Sequence, residues 1–346
     1  MFKSKKKITI LILLVLCLFS VIYIFFKSKN SETQTQKNIN QTIDIPNYFK
    51  GADLSIENNI KTSDFKFPSS MPYLEQSNDG ELTTAAAKNI AINLGFTTEP
   101  TVANDTQNGT IMIWNSDKYS LMITLKTNHV QYSSNNGIHT LIQNSINKQI
   151  SDKEYQDIST NFLTNKMSFD SQKLNFMGLT YYKTANNTEY LAKTTKDNAD
   201  VIQVNCSQSP VNYPVFTTNP DKPQIFLQLL KDGTIINFEA NIGISFKESA
   251  SKYPILNYDQ FSKNLSQSIV VSLNNNSVNL PDLKSNNITN TKVNSVSLVY
   301  LLNNTETTYL QPVFLINGTS SVTGIEGPVN IVMYLPALEG SSTPEP

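Results

Sequence analysis

Two histidines occur in the chain, His129 and His139, and that scarcity limits the chemistry the sequence can offer. A Ser-His-Asp or Cys-His device needs an imidazole beside a nucleophile, with a third group to orient it. His129 sits in a strand-like stretch between Asn128 and Val130, and His139 follows Gly137-Ile138 in a connection. No Gly-x-Ser-x-Gly elbow accompanies either, so both read as surface or half-buried polar residues. Metal chemistry fares no better. There is no His-Glu-x-x-His, no paired Cys-x-x-Cys and no calcium loop with its terminal Glu. The glycines are scattered, which removes a phosphate loop. Carboxylate pairs could serve a glycosidase, but Asp232, Glu239, Asp259 and Glu306 have no spacing that singles them out. The expectation is a chain without catalytic, cofactor-binding or metal-binding residues, and not an enzyme.

Composition narrows the partners. With 27 Lys+Arg against 28 Asp+Glu the net charge is −1, and no basic footprint for nucleic acid exists. Sequons such as Asn108-Gly109-Thr110 and Asn317-Gly318-Thr319 arise by chance in an Asn-rich chain and imply no glycosylation. Cys17 and Cys206 are the two cysteines. Cys206, near Val204 and Ser207 in a strand-like run, reads as a small buried hydrophobe rather than a nucleophile. Tyr181, Tyr182, Tyr213, Phe216, Tyr300, Tyr309 and Tyr334 could line a groove for peptide or glycan, although aromatics also fill sheet faces.

The elements that would position these residues begin with an apolar run from Ile8 to Phe26, flanked by Lys3, Lys5, Lys6 and Lys7 before it and Lys27 and Lys29 after it. At 1.5 Å per residue such a helix reaches ~28 Å, close to a hydrocarbon core of roughly 30 Å. No small-x-small cleavage site follows Phe26, which favours an uncleaved anchor over a signal peptide. The heavier basic flank predicts a cytoplasmic N-terminus and an exported remainder. The implied division is a cytoplasmic segment at 1–7, a transmembrane helix at 8–26 and a flexible tether at 27–47. Three helix-sheet modules follow at 48–150, 151–250 and 251–338, with a disordered tail at 339–346.

Within the modules, Leu82, Ala86, Ile90 and Leu94 repeat at four-residue spacing, and Gly95 offers a left-handed stop, predicting a helix from about Thr83. Ser151-Asp152-Lys153-Glu154 is a capping box ahead of Tyr155, Ile158 and Phe162. A third helix opens at Asn257, with Gln260 three residues on, and carries Tyr258, Phe261 and Leu265. Strands are predicted at 110–114, 119–125, 174–183, 199–207, 225–230, 234–242, 293–302, 309–316 and 329–335. Asp232-Gly233 would close a hairpin. Short helices interleaved with antiparallel strands give an α+β class: a transmembrane helix, then a β-rich ectodomain of repeated helix-plus-sheet modules.

Two stretches carry a resemblance: Tyr253-Pro254-Ile255-Leu256-Asn257-Tyr258-Asp259-Gln260-Phe261, and Tyr309 to Gly318 taken with Val332 to Leu338. Together with the overall layout they resemble bacterial membrane-anchored extracytoplasmic regulators of the Yyc type and PepSY-like domains. The resemblance implies one anchor, repeated helix-plus-antiparallel-sheet modules and, for the Yyc-type members, contact with a membrane sensor kinase. It brings no catalytic residues. It covers the last quarter of the chain, and 184–222 has no counterpart in it. The leading expectation is a non-enzymatic, membrane-tethered domain at the plasma membrane that binds and regulates another envelope or membrane protein. Glycan or peptide binding in the envelope is the alternative, and a carboxylate-dependent hydrolase is a third.

Overall fold

The computed structural model describes residues 49–50, 54–78, 81–146, 148–184, 190–220, 222–274, 287–302 and 309–340. All of them belong to one compact unit, Thr42–Pro346. In chain order, β1 (Phe49–Lys50), β2 (Ile56–Asn58) and β3 (Ser70–Asn78) precede helix α1 (Thr84–Asn93). Next come β4 (Thr101–Asp105), β5 (Gly109–Asn115), β6 (Tyr119–Thr124) and β7 (His129–Ser134), then α2 (Ile138–Asn144) and α3 (Asp152–Asn165). The middle of the chain gives β8 (Leu174–Thr184), β9 (Leu191–Lys193), β10 (Val201–Gln208) and β11 (Val215–Thr217). It continues with β12 (Ile225–Leu230), β13 (Ile235–Asn241) and β14 (Ile244–Pro254). Helix α4 (Tyr258–Asn264) leads to β15 (Ile269–Asn274), β16 (Ile288–Leu302), β17 (Tyr309–Val322) and β18 (Pro328–Pro336).

These strands build two nine-stranded sheets. The first runs β1-β15-β18-β17-β16-β11, with β2 beside β16 and with β3 joining β17 to β14. The second runs β4-β5-β6-β7-β13-β12-β10-β8-β9. The expected plan of repeated helix-plus-sheet modules is corrected by this topology. Residues 70–78 pair with 244–254, Phe49 lies opposite Val270, and β11 runs parallel to β16, so strands far apart in sequence complete one sheet. Hydrophobic period fixes which face of a strand is buried, but the partner across the ladder is set by long-range packing that no local window contains.

The anchor is corrected as well. Among the described residues no helix is long and apolar enough to cross a membrane. Even α3, at 14 residues, spans only about 21 Å of the roughly 30 Å required. The apolar run at 8–26 lies outside the described residues, as do 1–7 and 27–47. A single-pass plasma-membrane placement therefore has no support in this structure.

The predicted helices do form, for the local reasons foreseen. Thr83 caps α1 by accepting from the Ala86 amide, though the fully buried residues are Ala87 and Ala91, one step round from the expected stripe. Ser151 and Glu154 form a reciprocal capping box on α3, and Asn257 and Gln260 do the same on α4. The β12–β13 hairpin is present, but its loop spans 231–234 and a bulge follows Gln228. Gly233 sits there at φ 86°, where an added Cβ would lie 2.6 Å from Ile158 Cδ1.

One face of the second sheet packs under α1 and α3. Trp114, Leu121, Ile123, Val130, Ile202, Val204, Leu227 and Phe238 are buried there against Ala87, Ala91, Tyr155 and Leu163. The first sheet is apolar on both faces. Phe314 meets Phe65, Phe67 and Phe261 on one side, with ring centroids 5.3–5.4 Å apart. Ile269, Val299, Leu301, Val313, Leu315 and Tyr334 cluster with Phe216 and Val332 elsewhere in that sheet.

Candidate functional site

Polar side chains accumulate on the face of the second sheet turned away from α1 and α3, beside the patch where α2 packs on Val201, Leu230 and Ile236. Register places Ser120, Ser133, Asn237, Gln228, Gln203 and Thr180 directly opposite one another across β6, β7, β13, β12, β10 and β8. Alternation sends their neighbours in sequence into the helix-covered core and leaves these side chains in a row on the other face. The row is hydrogen-bonded in one sense. Asn237 Nδ2 donates to Gln228 Oε1 at 3.2 Å, and Gln228 Nε2 to Gln203 Oε1 at 3.1 Å. Gln203 Nε2 donates to Asn205 Oδ1 at 2.7 Å, and Asn205 Nδ2 to Thr180 Oγ1 at 2.9 Å. At the far end Asn237 Oδ1 is buried with no hydrogen-bond partner, while Ser133 Oγ pairs with Ser120 Oγ at 3.0 Å.

The row ends in a cleft of about 840 Å³ between the two sheets. From the second sheet it is lined by Met177, Thr180, Tyr182, Lys193, Thr194 and Asn205, and from the first by Phe216, Leu315, Asn317 and Val332. Leu179 and Tyr181 also border it, but their side chains pack on the helix side. The Tyr181 hydroxyl donates instead to Asp152 at 3.2 Å, and Lys196 neutralises that carboxylate at 2.8 Å. Burial first, then the Asp152 charge, raises the Tyr181 phenol above its ordinary range. Gly178, at φ 125°, sits beside the bulge where β8 passes Asn205 and Cys206, and the bulge turns Met177 toward the opening. Among the described lining residues, Lys193 carries the one formal charge and no carboxylate is present.

A second cleft of about 460 Å³ lies across Pro223 and contains His129, Glu239, Gln208, Asn241, Lys222 and Phe226. His129 Nε2 and Glu239 Oε1 are 3.1 Å apart, with side chains 27% and 42% exposed. These residues are 110 positions apart in sequence, and the β13–β7 register brings them together. Thr217 and Thr218 line the same cleft, and the Thr217 hydroxyl donates to the carbonyls of Asn219 and Lys222.

The other singled-out residues are dispersed. His139 lies in α2 rather than in a connection, against Gln143 at 2.9 Å. Asp232 accepts from the Thr234 amide in the hairpin loop, Asp259 is in the first turn of α4, and Glu306 lies outside the described residues. Tyr300 and Tyr334 are buried and donate to the carbonyls of Pro72 and Thr217, whereas Tyr182 and Phe216 reach the large cleft. Burial pushes the Cys206 thiol up to about 12. Among the described residues no cluster of His, Cys, Asp or Glu has the makings of a metal site.

No family model matches this chain, and no curated protein matches it either. Among solved structures, an uncharacterized protein from Eubacterium rectale ATCC 33656 superposes with a TM-score of 0.50 at 13% identity. The superposition covers 85% of this chain and 91% of that one. The likeness is one of fold, and it leaves the clefts to be read from their own chemistry.

Proposed function

We propose that this chain is a non-catalytic binding module whose large inter-sheet cleft holds a saccharide. The observation that carries the reading is the lining itself. A cavity of about 840 Å³ is lined by two aromatic residues, Phe216 and Tyr182, the latter also packed on Val201, Leu230 and Ile236, beside the hydroxyls of Thr180 and Thr194 and the amides of Asn205 and Asn317. Its size falls within the range of small-molecule sites, roughly 300–1,000 Å³. Hydroxyls and amides both donate and accept, which suits a ligand whose own groups are mostly hydroxyls, and aromatic faces suit the apolar face of a sugar ring. A paired-carboxylate hydrolase would need two acids flanking the scissile bond, and the described lining supplies none.

The test is calorimetric titration of the purified chain with a panel of short oligosaccharides, set beside a Tyr182→Ala/Phe216→Ala variant. Saturable binding that the double variant loses supports the reading. Failure of every saccharide to bind sinks it.

In that case a protein partner becomes the better reading, because β4 is a bare sheet edge. All five of its residues are exposed, Val102 by 55%, and among the described residues only β5 pairs with it. Such an edge can accept an added strand, and regulator-like proteins of the kind the sequence resembles work through protein contacts. A Val102→Pro substitution would block that pairing, and retention of a partner by the variant would count against the edge.

A further inference from the structure

We infer that the saccharide in the large cleft is an acidic one, and that the side-chain amides of the second sheet form a directional relay that sharpens the recognition of its carboxylate. The inference rests on the saccharide reading above. Its basis is the common sense of four hydrogen bonds: Asn237 to Gln228, Gln228 to Gln203, Gln203 to Asn205, and Asn205 to Thr180. Gln228, Gln203 and Asn205 each give N–H toward the cleft and accept from the side away from it, and Asn237 heads the row with its Oδ1 unpaired. Amide dipoles aligned head to tail place a partial positive charge at the donor end, as they do at a helix N-terminus. That end is Thr180.

The Thr180 oxygen already accepts from Asn205, so its hydroxyl hydrogen remains for the cleft, which Thr180 lines. A hydroxyl polarised by a chain of donors is a better donor than an isolated one, and it calls for a strong acceptor. Among the groups that decorate sugars, a carboxylate is an ionised, strong acceptor that gains from a charge-assisted bond. The absence of acids from the described lining, and the presence of Lys193 in it, suit the same ligand. Gln228 and Asn237 touch no ligand and line no part of this cleft. They act as positioning residues.

Binding of short oligogalacturonates and of matching uncharged oligogalactosides to the full chain tests this, read as the ratio of the two affinities. The native chain should prefer the acidic series. Thr180→Val should lower acidic affinity about tenfold or more, the size expected for a lost hydrogen bond to a charged group, while Thr180→Ser restores it. Gln228→Met cuts the relay two strands from the cleft. It should reduce the acidic-to-uncharged ratio about twofold and leave uncharged binding unchanged, which a general loss of structure would not do. Equal affinity for both series, or a ratio untouched by Thr180→Val, overturns the acidic inference and leaves the saccharide reading standing. If neither series binds and the wider panel is also silent, both fall.

Discussion

Along β17 the residues from Leu310 to Ile316 are all buried, whereas along β13 burial alternates with half-exposure from Ile235 to Asn241. The first pattern belongs to a sheet wedged between α4 with its aromatic neighbours on one side and apolar packing on the other. The second belongs to a sheet covered by α1 and α3 on one face, and on the other partly by α2 and partly turned to polar clefts. A fully buried strand reads as a continuous apolar run, and a half-buried one as alternation. The first sheet is accordingly built for cohesion. The second carries the amide row and shares the large cleft with the first, and its amides there are held by one another rather than by solvent.

That contrast can be broken most directly by deleting one large ring from each sheet. Phe314 is fully buried among Phe65, Phe67 and Phe261, and Phe314→Ala should cost about 3–5 kcal/mol, the usual figure for a buried Phe truncation. Phe226 lies on the cleft side of the second sheet and is only half-buried, so Phe226→Ala should cost less than half as much. Urea titration of both variants gives the comparison. Equal losses would mean that the second sheet's open face is packed as tightly as the first sheet's core, and the contrast would be lost.

The amide row offers a finer test. Gln203→Leu leaves Gln228 Nε2 and Asn205 Oδ1 without partners, and Gln228→Leu leaves Asn237 Nδ2 and Gln203 Oε1 so. Each should cost about 1–2 kcal/mol. The double variant still leaves two groups orphaned, Asn237 Nδ2 and Asn205 Oδ1, because the Gln203–Gln228 bond disappears with both its ends. The second substitution should therefore add less than about 0.5 kcal/mol to the first. Additive losses in that cycle would show that the residues act singly and that no connected row exists.

Much of the second sheet's architecture was legible in the chain. The Tyr119-Leu121-Ile123 alternation marks β6 and the Ser151 box starts α3, just as the Asn257–Gln260 box starts α4 on the first sheet. The candidate site was not legible. Gln203, Gln228 and Asn237 are unremarkable members of an Asn- and Gln-rich chain until register sets them opposite one another, and His129 meets Glu239 only through β13–β7 pairing. Likewise nothing local told β3 to leave α1 and pair with β14 and β17. Period and caps are written within a dozen residues, whereas strand partners are chosen by contacts formed across the whole fold.

The smallest expected difference separates the helices on the two sheets. In α3 the box is ionisable: the Ser151 amide donates to Glu154 Oε2 at 2.7 Å, and the Ser151 hydroxyl does the same. Those bonds, the backbone one first, hold the Glu154 carboxyl below its ordinary value. In α4 the equivalent acceptor is the Gln260 amide, 2.8 Å from the Asn257 nitrogen, and it does not titrate in this range. A carboxyl depressed on folding contributes stability that is present above the unfolded glutamate value of about 4.3 and is lost as pH falls through the lower folded value. Acid should therefore loosen the first turn of α3 before that of α4. Hydrogen exchange at those amides, corrected for intrinsic rates, should show protection falling in α3 alone as pH drops below about 4.3, and Glu154→Gln should remove that pH dependence. If both helices lost protection together, or the Glu154→Gln chain behaved like the native one, the ionisable box would not be what distinguishes the two helices in acid.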